Sequence, residues 1–164
     1  MVDANVAIGL GSNLGLCCQT LETALELLGG YGGIRVKERS HWYRTTPVGP
    51  PQPDYINGCA TLVVSISPQL LLETLLEIEK KLGRVRGERW GPRTLDLDLL
   101  LFDDLILKTP TLEIPHPRMG DRAFVLVPLA EIAPDWIDPV SKKTIAQLLE
   151  TIDHSGVQKL TVAN

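Results

Sequence analysis

Cysteine is scarce and badly placed for cross-linking: Cys17, Cys18 and Cys59 are odd in number, two are adjacent, and none forms a C-x-x-C pair. Neither a disulfide framework nor a zinc site is suggested, and all three read as reduced thiols. Long apolar runs are missing too. The opening MVDANVAIGLG carries Asp3 where a secretory leader needs basic residues, and no later segment approaches the ~18 uninterrupted apolar residues of a membrane helix. A cytoplasmic protein without membrane attachment is expected. Nor is there a basic excess: a net charge of −4 argues against a general nucleic-acid binder, so any anion site must be local. Internal repeats, charge blocks and low-complexity tracts are absent as well.

What is present is an ordinary globular composition, 44% hydrophobic and 22% charged, on a length of 164 residues that fits one domain over 1–164 with one core. Val6 to Leu10 reads as a strand. A helix follows from about Cys17 to Leu28, with Leu21, Leu25 and Leu28 at helical spacing and Gly29-Gly30 as its stop. Ile34 to Tyr43 and Tyr55 to Ile66 read as strands, separated by RTTPVGPPQP (44–53), whose prolines forbid helix and mark a loop. Ser67 can cap a second helix with Pro68 in its first turn, Leu71, Leu75, Ile78 and Leu82 as its stripe and Gly83 as its end. Thr94 to Phe102 is the fourth strand. The order β-α-β-β-α-β is that of the ferredoxin-like α+β fold: one antiparallel sheet, both helices on one face, and the other face left free. Beyond it come a proline-rich turn at Pro115-His116-Pro117, an apolar element from Ala123 to Ile132 and a helix near Ile145 to Ile152.

In the fourth strand Leu95, Leu97, Leu99 and Leu101 alternate with Thr94, Asp96 and Asp98, so both carboxylates point to the same side. Two such charges need a partner, either an arginine or a divalent metal, and hard oxygen ligands favour Mg²⁺. The third strand sets Ile56, Ala60, Leu62, Val64 and Ile66 against Tyr55, Asn57 and Thr61. Tyr55 and Asn57 either finish a strand beside the proline loop or stack a flat heterocycle and read its edge. Just before Asp96, residues 83–93 (GRVRGERWGPR) gather four arginines between glycines; this is a solvated surface loop or a cover for a polyphosphate. The glycines of GLGSNLG (9–15) lack the lysine of a P-loop and the Rossmann spacing and read as a turn. His116 either contacts a phosphate or caps a turn; His41 and His154 carry no motif.

Taken together, IGLGSNLG, YRTTPVGPPQPDYIN, GRVRGERWGPRTLDLDLLLFDD and IPHPRMGDRAFVLVPLAEIAPD resemble the 6-hydroxymethyl-7,8-dihydropterin pyrophosphokinases of folate biosynthesis over most of the chain. The resemblance implies transfer of the pyrophosphoryl group of ATP to the hydroxymethyl group of the pterin, with AMP released. It implies two Mg²⁺ ions on Asp96 and Asp98. It places the pterin between Tyr55 and Phe124, read by Asn57 and by the backbone near Thr45, Thr46 and Val48. Glu79, Arg84, Arg86, Arg93, Leu99, His116 and Arg122 fall on nucleotide contacts, with Arg84 and Arg93 also catalytic, and Arg89 and Trp90 on a closing loop. A monomer acting on these two small molecules is implied, without room for a second catalytic domain. Thr46 and Pro117 depart from some relatives, and both the arginine-rich and proline loops are shorter than in some. The rival readings are another D-x-D nucleotide-using transferase and a non-enzymatic phospholigand or RNA module; the missing RNP aromatics and the negative charge weigh against the second.

Overall fold

Val6, Ile8 and Leu10 alternate with Ala7, Gly9 and Gly11, and a period of two along an extended chain sends the two sets to opposite sides. The computed structural model describes residues 3–12, 17–45, 55–83 and 95–160, and in it the chain runs β1 (Ala4–Ser12), α1 (Cys17–Gly29), β2 (Ile34–Arg39), β3 (Tyr43–Thr45), β4 (Tyr55–Val64), α2 (Pro68–Gly83) and β5 (Asp96–Phe102). The sheet order is β5-β1-β4-β3, with β2 also on β4, and every pairing is antiparallel. This is the ferredoxin-like α+β arrangement expected from the sequence.

Both helices lie on one face of that sheet. Leu21 and Leu28 of α1 and Leu71, Leu75 and Ile78 of α2 meet Val6, Ile8, Leu10, Leu62, Leu97 and Leu99 in the main core, and the three α2 residues have no exposed surface. Burying each such side chain contributes roughly 1.5–3 kcal/mol. Ser67 caps α2 as expected, its Oγ accepting the Leu70 N–H at 3.1 Å.

One expected strand, Ile34 to Tyr43, is two. β2 pairs with Val64 to Ala60 and β3 with Asn57 to Tyr55, and residues 40–42 bend away between them. Ser40 takes over the ladder there: its N–H donates to the Cys59 carbonyl, and its Oγ accepts the Cys59 N–H, each at 2.9 Å. The bend seats the Trp42 indole over Gly58, where a Cβ would stand 2.5 Å from the ring. Gly58→Ala is therefore expected to cost about 1–3 kcal/mol of unfolding free energy. Chemical denaturation checks it, and the loss should shrink when Trp42→Ala is made in the same chain.

The second sheet face is half covered rather than free. After the short hairpin β6 (Leu107–Lys108) and β7 (Glu113–Ile114), a 3₁₀ turn (Met119–Asp121) leads into α3 (Ala123–Ile132), followed by α4 (Ile145–Glu150) and β8 (Val157–Lys159). Leu126 and Leu129 of α3, with Ile145 and Leu148 of α4, bury Ala7, Cys59, Leu100 and Leu101 in a second core. Leu101 was expected beside Leu99 on the first face. A β-bulge overturns that: Ile8 pairs with Leu99 but Ala7 with Leu101, so Leu100 is an extra residue and the alternation changes phase. A capping box starts α4, with Thr144 Oγ1 accepting the Gln147 N–H and Gln147 Oε1 accepting the Thr144 N–H. β8 pairs with β3 and closes that edge of the sheet.

Candidate active site

The second face is organised in rows that run from its uncovered half toward the part beneath α3. Asp96 lies opposite Gly11, Gly11 opposite Asn57, and Asn57 opposite Tyr43; one row along, Asp98 lies opposite Gly9, and Gly9 opposite Cys59. Paired residues of an antiparallel sheet share a face, so the two acids stand beside a floor without side chains. The glycines expected in a turn belong to this floor: Gly9 to Ser12 continue β1 because both neighbouring strands hydrogen-bond it, while residues 13–15 lie outside the described residues. A Cβ on Gly11 would come within 2.6 Å of Asn57 Nδ2, so the absent side chain is what lets the amide lie across the floor.

Asp96 and Asp98 are half-buried on the outermost strand. Between them the Leu97 N–H donates to Glu79 Oε2 at 2.6 Å, which ties this edge of the sheet to α2. Two carboxylates on one side offer hard oxygen donors, and among the described residues no set of three His, Cys, Asp or Glu converges on a metal position. That donor set fits Mg²⁺, which takes one or two carboxylates and leaves other positions to phosphate oxygens and water.

Two recesses open on the pair. One, of about 700 Å³, runs across the floor to Thr45, Tyr55 and Asn57, under Arg122 and Phe124. The other, of about 330 Å³, extends past Leu99 to Glu79, His116, Leu72 and Leu112. Asp96 and Asp98 line both. In the larger recess Asn57 Oδ1 and Thr45 Oγ1 are buried without a hydrogen-bond partner among the described residues, a costly state that a ligand edge would relieve. Tyr55 is 38% exposed, and Phe124 sits in the first turn of α3 with the Arg122 guanidinium 5.6 Å from its ring centre.

His116 hangs from the bulge, its N–H donating to the Leu100 carbonyl at 3.0 Å. The Arg118 N–H donates to its Nδ1 at 3.1 Å, so the neutral ring carries its proton on Nε2. Burial pushes this imidazole below its ordinary range; Asp98 opposes the shift, and Arg122 and Arg118 add to it.

Of the residues singled out in the sequence, Thr45, Tyr55, Asn57, Asp96, Asp98, Arg122 and Phe124 share the larger recess, and Glu79, Leu99 and His116 share the smaller with the two acids. Thr46, Val48, Arg84, Arg86, Arg89, Trp90 and Arg93 lie outside the described residues. Arg118, Asp121 and Asp153 also line the larger recess and were not foreseen. The arginines four apart in HPRMGDR were a usable signal for the first. Asp153 gave none, because its placement depends on β8 pairing with β3 at Thr45 and Val157.

Fold and face together define a ferredoxin-like protein with an acidic ligand cleft on the open half of its sheet. Residues 7–134 match the family model of 7,8-dihydro-6-hydroxymethylpterin-pyrophosphokinase, and the chain belongs to that family, as the sequence motifs indicated. It is 58% identical over 150 residues to the 2-amino-4-hydroxy-6-hydroxymethyldihydropteridine pyrophosphokinase of Synechocystis sp., covering 92% of this chain and 77% of the relative. It is 42% identical over 154 residues to the enzyme of that name from Methylorubrum extorquens, covering 93% and 96%. Among solved structures, an HPPK-DHPS in complex with substrates superposes with a TM-score of 0.75 at 16% identity, over 99% of this chain and 47% of that one. At that identity the likeness concerns the fold, and this chain spans about half of the longer one.

Proposed function

We propose that this chain carries out the family's reaction, transfer of the pyrophosphoryl group of ATP to 6-hydroxymethyl-7,8-dihydropterin with release of AMP, at the row of Asp96 and Asp98. The observation that carries this assignment is that the same two carboxylates border both recesses, so a donor in one and an acceptor in the other would meet over them. Asp96 and Asp98 would hold two Mg²⁺ ions. When bound, these neutralise the triphosphate and align attacking and leaving oxygens.

In the larger recess Tyr55 and Phe124 stack the pterin ring. Asn57 Oδ1 accepts an N–H of its edge and Thr45 Oγ1 supplies a second contact, which satisfies the two orphaned atoms. In the smaller recess Leu99 and Leu72 offer apolar contact to the adenosine end, and His116 Nε2 donates to a phosphate oxygen without adding charge. Glu79 holds the β5 backbone and borders the nucleotide. Arg122 balances phosphate charge beside Phe124. In the segments outside the described residues, Arg84 and Arg93 would stabilise charge on the transferred group, Arg86 would contact the nucleotide, and Trp90 would close over the pterin, with the Thr46 and Val48 backbone at its edge. The enzyme would act as a cytoplasmic, single-domain monomer that uses no nucleic acid; no helix among the described residues is long and apolar enough to cross a membrane.

Separation of the nucleotide products tests the reading. AMP should form from ATP and Mg²⁺ only when hydroxymethyl-dihydropterin is present; ADP as the product, or no dependence on the pterin, would overturn it. Within this scheme His116→Ala should raise the KM for ATP on the order of tenfold through loss of one buried donor, while His116→Gln restores part of it. Steady-state kinetics in both substrates checks this, and a change confined to the pterin KM would remove His116 from the nucleotide side.

A further inference from the structure

Glu131 sits in the last turn of α3 and lines neither recess, yet its carboxylate is held by three donors from two residues of the segment around β3. Its Oε1 accepts the Tyr43 hydroxyl at 2.6 Å and the His41 N–H at 3.0 Å; its Oε2 contacts His41 Nδ1 at 2.7 Å and the same N–H at 3.2 Å. Tyr43 is buried, belongs to β3, lies opposite Asn57 and stands two residues before Thr45. Phe124 is seven residues before Glu131 on the same helix, two turns away and therefore on the same side of it. One side of α3 thus carries the ring above the cleft at one end and, at the other, the anchor to the strand that forms the cleft's outer wall.

We infer that Glu131 is a positioning residue of the pterin half of the cleft: by fastening the end of α3 to Tyr43 and His41, it sets the gap between Phe124 above and the Thr45, Tyr55 and Asn57 wall below. This inference rests on the assignment of that recess to the pterin. The apolar contacts of α3 with Cys59 and Leu101 hold the helix against the sheet without a directional preference, whereas a carboxylate with directed hydrogen bonds to His41 and Tyr43 sets the helix end at one place along β3. Burial pushes the Glu131 carboxyl up, yet the hydrogen bonds from Tyr43, the His41 ring and the His41 amide outweigh it and leave the group below its ordinary range. The charged form is therefore the one the fold holds. Tyr43 answers in kind: burial and the adjacent Glu131 both push its phenol well above the usual range, so it remains a donor. The nucleotide recess, with Glu79, Leu99 and His116, shares none of these contacts.

The two recesses should consequently separate kinetically. Glu131→Ala is expected to raise the KM for hydroxymethyl-dihydropterin on the order of tenfold while the KM for ATP moves less than about twofold, since a small misplacement of a stacking wall is felt only by its own ligand. Glu131→Gln, which keeps an acceptor for Tyr43, should recover part of the loss. Tyr43→Phe removes only the hydroxyl and keeps the ring in place, so it should give a smaller loss in the same direction and covers the case in which Glu131→Ala does not fold. A purely structural role predicts a lower melting temperature with both KM values unmoved or moved together, and either result would overturn the inference. Wild-type protein that forms no AMP from ATP and the pterin would overturn the functional assignment itself, and this inference with it; active wild-type protein with an unchanged pterin KM in Glu131→Ala and Tyr43→Phe overturns the inference alone.

Discussion

Asp98→Ala should fold normally and lose turnover on the order of a thousandfold, and Asp96→Ala should lose turnover to a similar extent. Residues two apart on a strand are roughly 6.5 Å apart along it, so two carboxylates on one side of β5 repel each other across a short distance. Neither acid supports the main core, which is filled from the opposite face by Leu95, Leu97 and Leu99. Removing the Asp98 carboxylate therefore relieves a repulsion and leaves the core untouched, and thermal melting of Asp98→Ala without Mg²⁺ should show unchanged or slightly raised stability. The catalytic loss would follow from the position of both acids between the recesses: each variant leaves only one of the two carboxylates that would hold the cation there. Asp98→Asn, which preserves shape and removes charge, should be nearly as inactive. Near-normal turnover of any of these variants at saturating Mg²⁺ would refute the assignment of the pair.

The second large effect is expected from a methyl group. In Gly11→Ala the new Cβ falls 2.6 Å from Asn57 Nδ2, closer than atoms of these types approach, and the strand backbone on either side is held by two ladders. The amide must swing off the floor. Under the proposed assignment Asn57 Oδ1 would then no longer face the pterin edge, and losing a buried hydrogen bond of about 1–3 kcal/mol would lower pterin affinity about five- to 150-fold. Titration of the pterin, free or with an ATP analogue present, measures it. Asn57→Ala in the same chain gives a direct check: if the methyl acts through the amide, the double variant binds no worse than Asn57→Ala alone. Additive losses would mean that Gly11 acts in another way.

Much of this was legible because alternation survives in the strands that matter. Asp96 and Asp98 against Leu95, Leu97 and Leu99, and Tyr55 and Asn57 against Ile56 and Ala60, state their faces in the sequence itself. Ser67, Pro68 and the leucine stripe likewise announced α2. What escaped was set by contacts distant in sequence. Leu101 changes sides through a one-residue bulge that no local pattern marks. Gly9 and Gly11 resemble turn residues until strands on both sides are seen to hold them in line. The strand expected over Ile34 to Tyr43 breaks at Ser40, where the Ser40 side chain takes the place of a backbone partner for Cys59 and the Trp42 indole settles over Gly58. β6, β7 and β8 are two or three residues long, too short for any period to show. Coverage of half the second face could not be read locally either, because α3 docks chiefly on β4, more than fifty residues earlier in the chain, and α4 packs on α3.

β8 has a consequence for the order in which the molecule is made. The wall that carries Thr45 is synthesised early, but its outer edge gains a partner only when Val157 and Gln158 arrive. Strands β1, β4 and β5 can assemble around α1 and α2 well before that, so a chain still on the ribosome already owns its acids and its glycine floor. It lacks the clasp on β3. Acceptor binding should then mature later than nucleotide binding during translation, and a nascent chain stalled between Ile132 and Asp153 would hold ATP more readily than pterin.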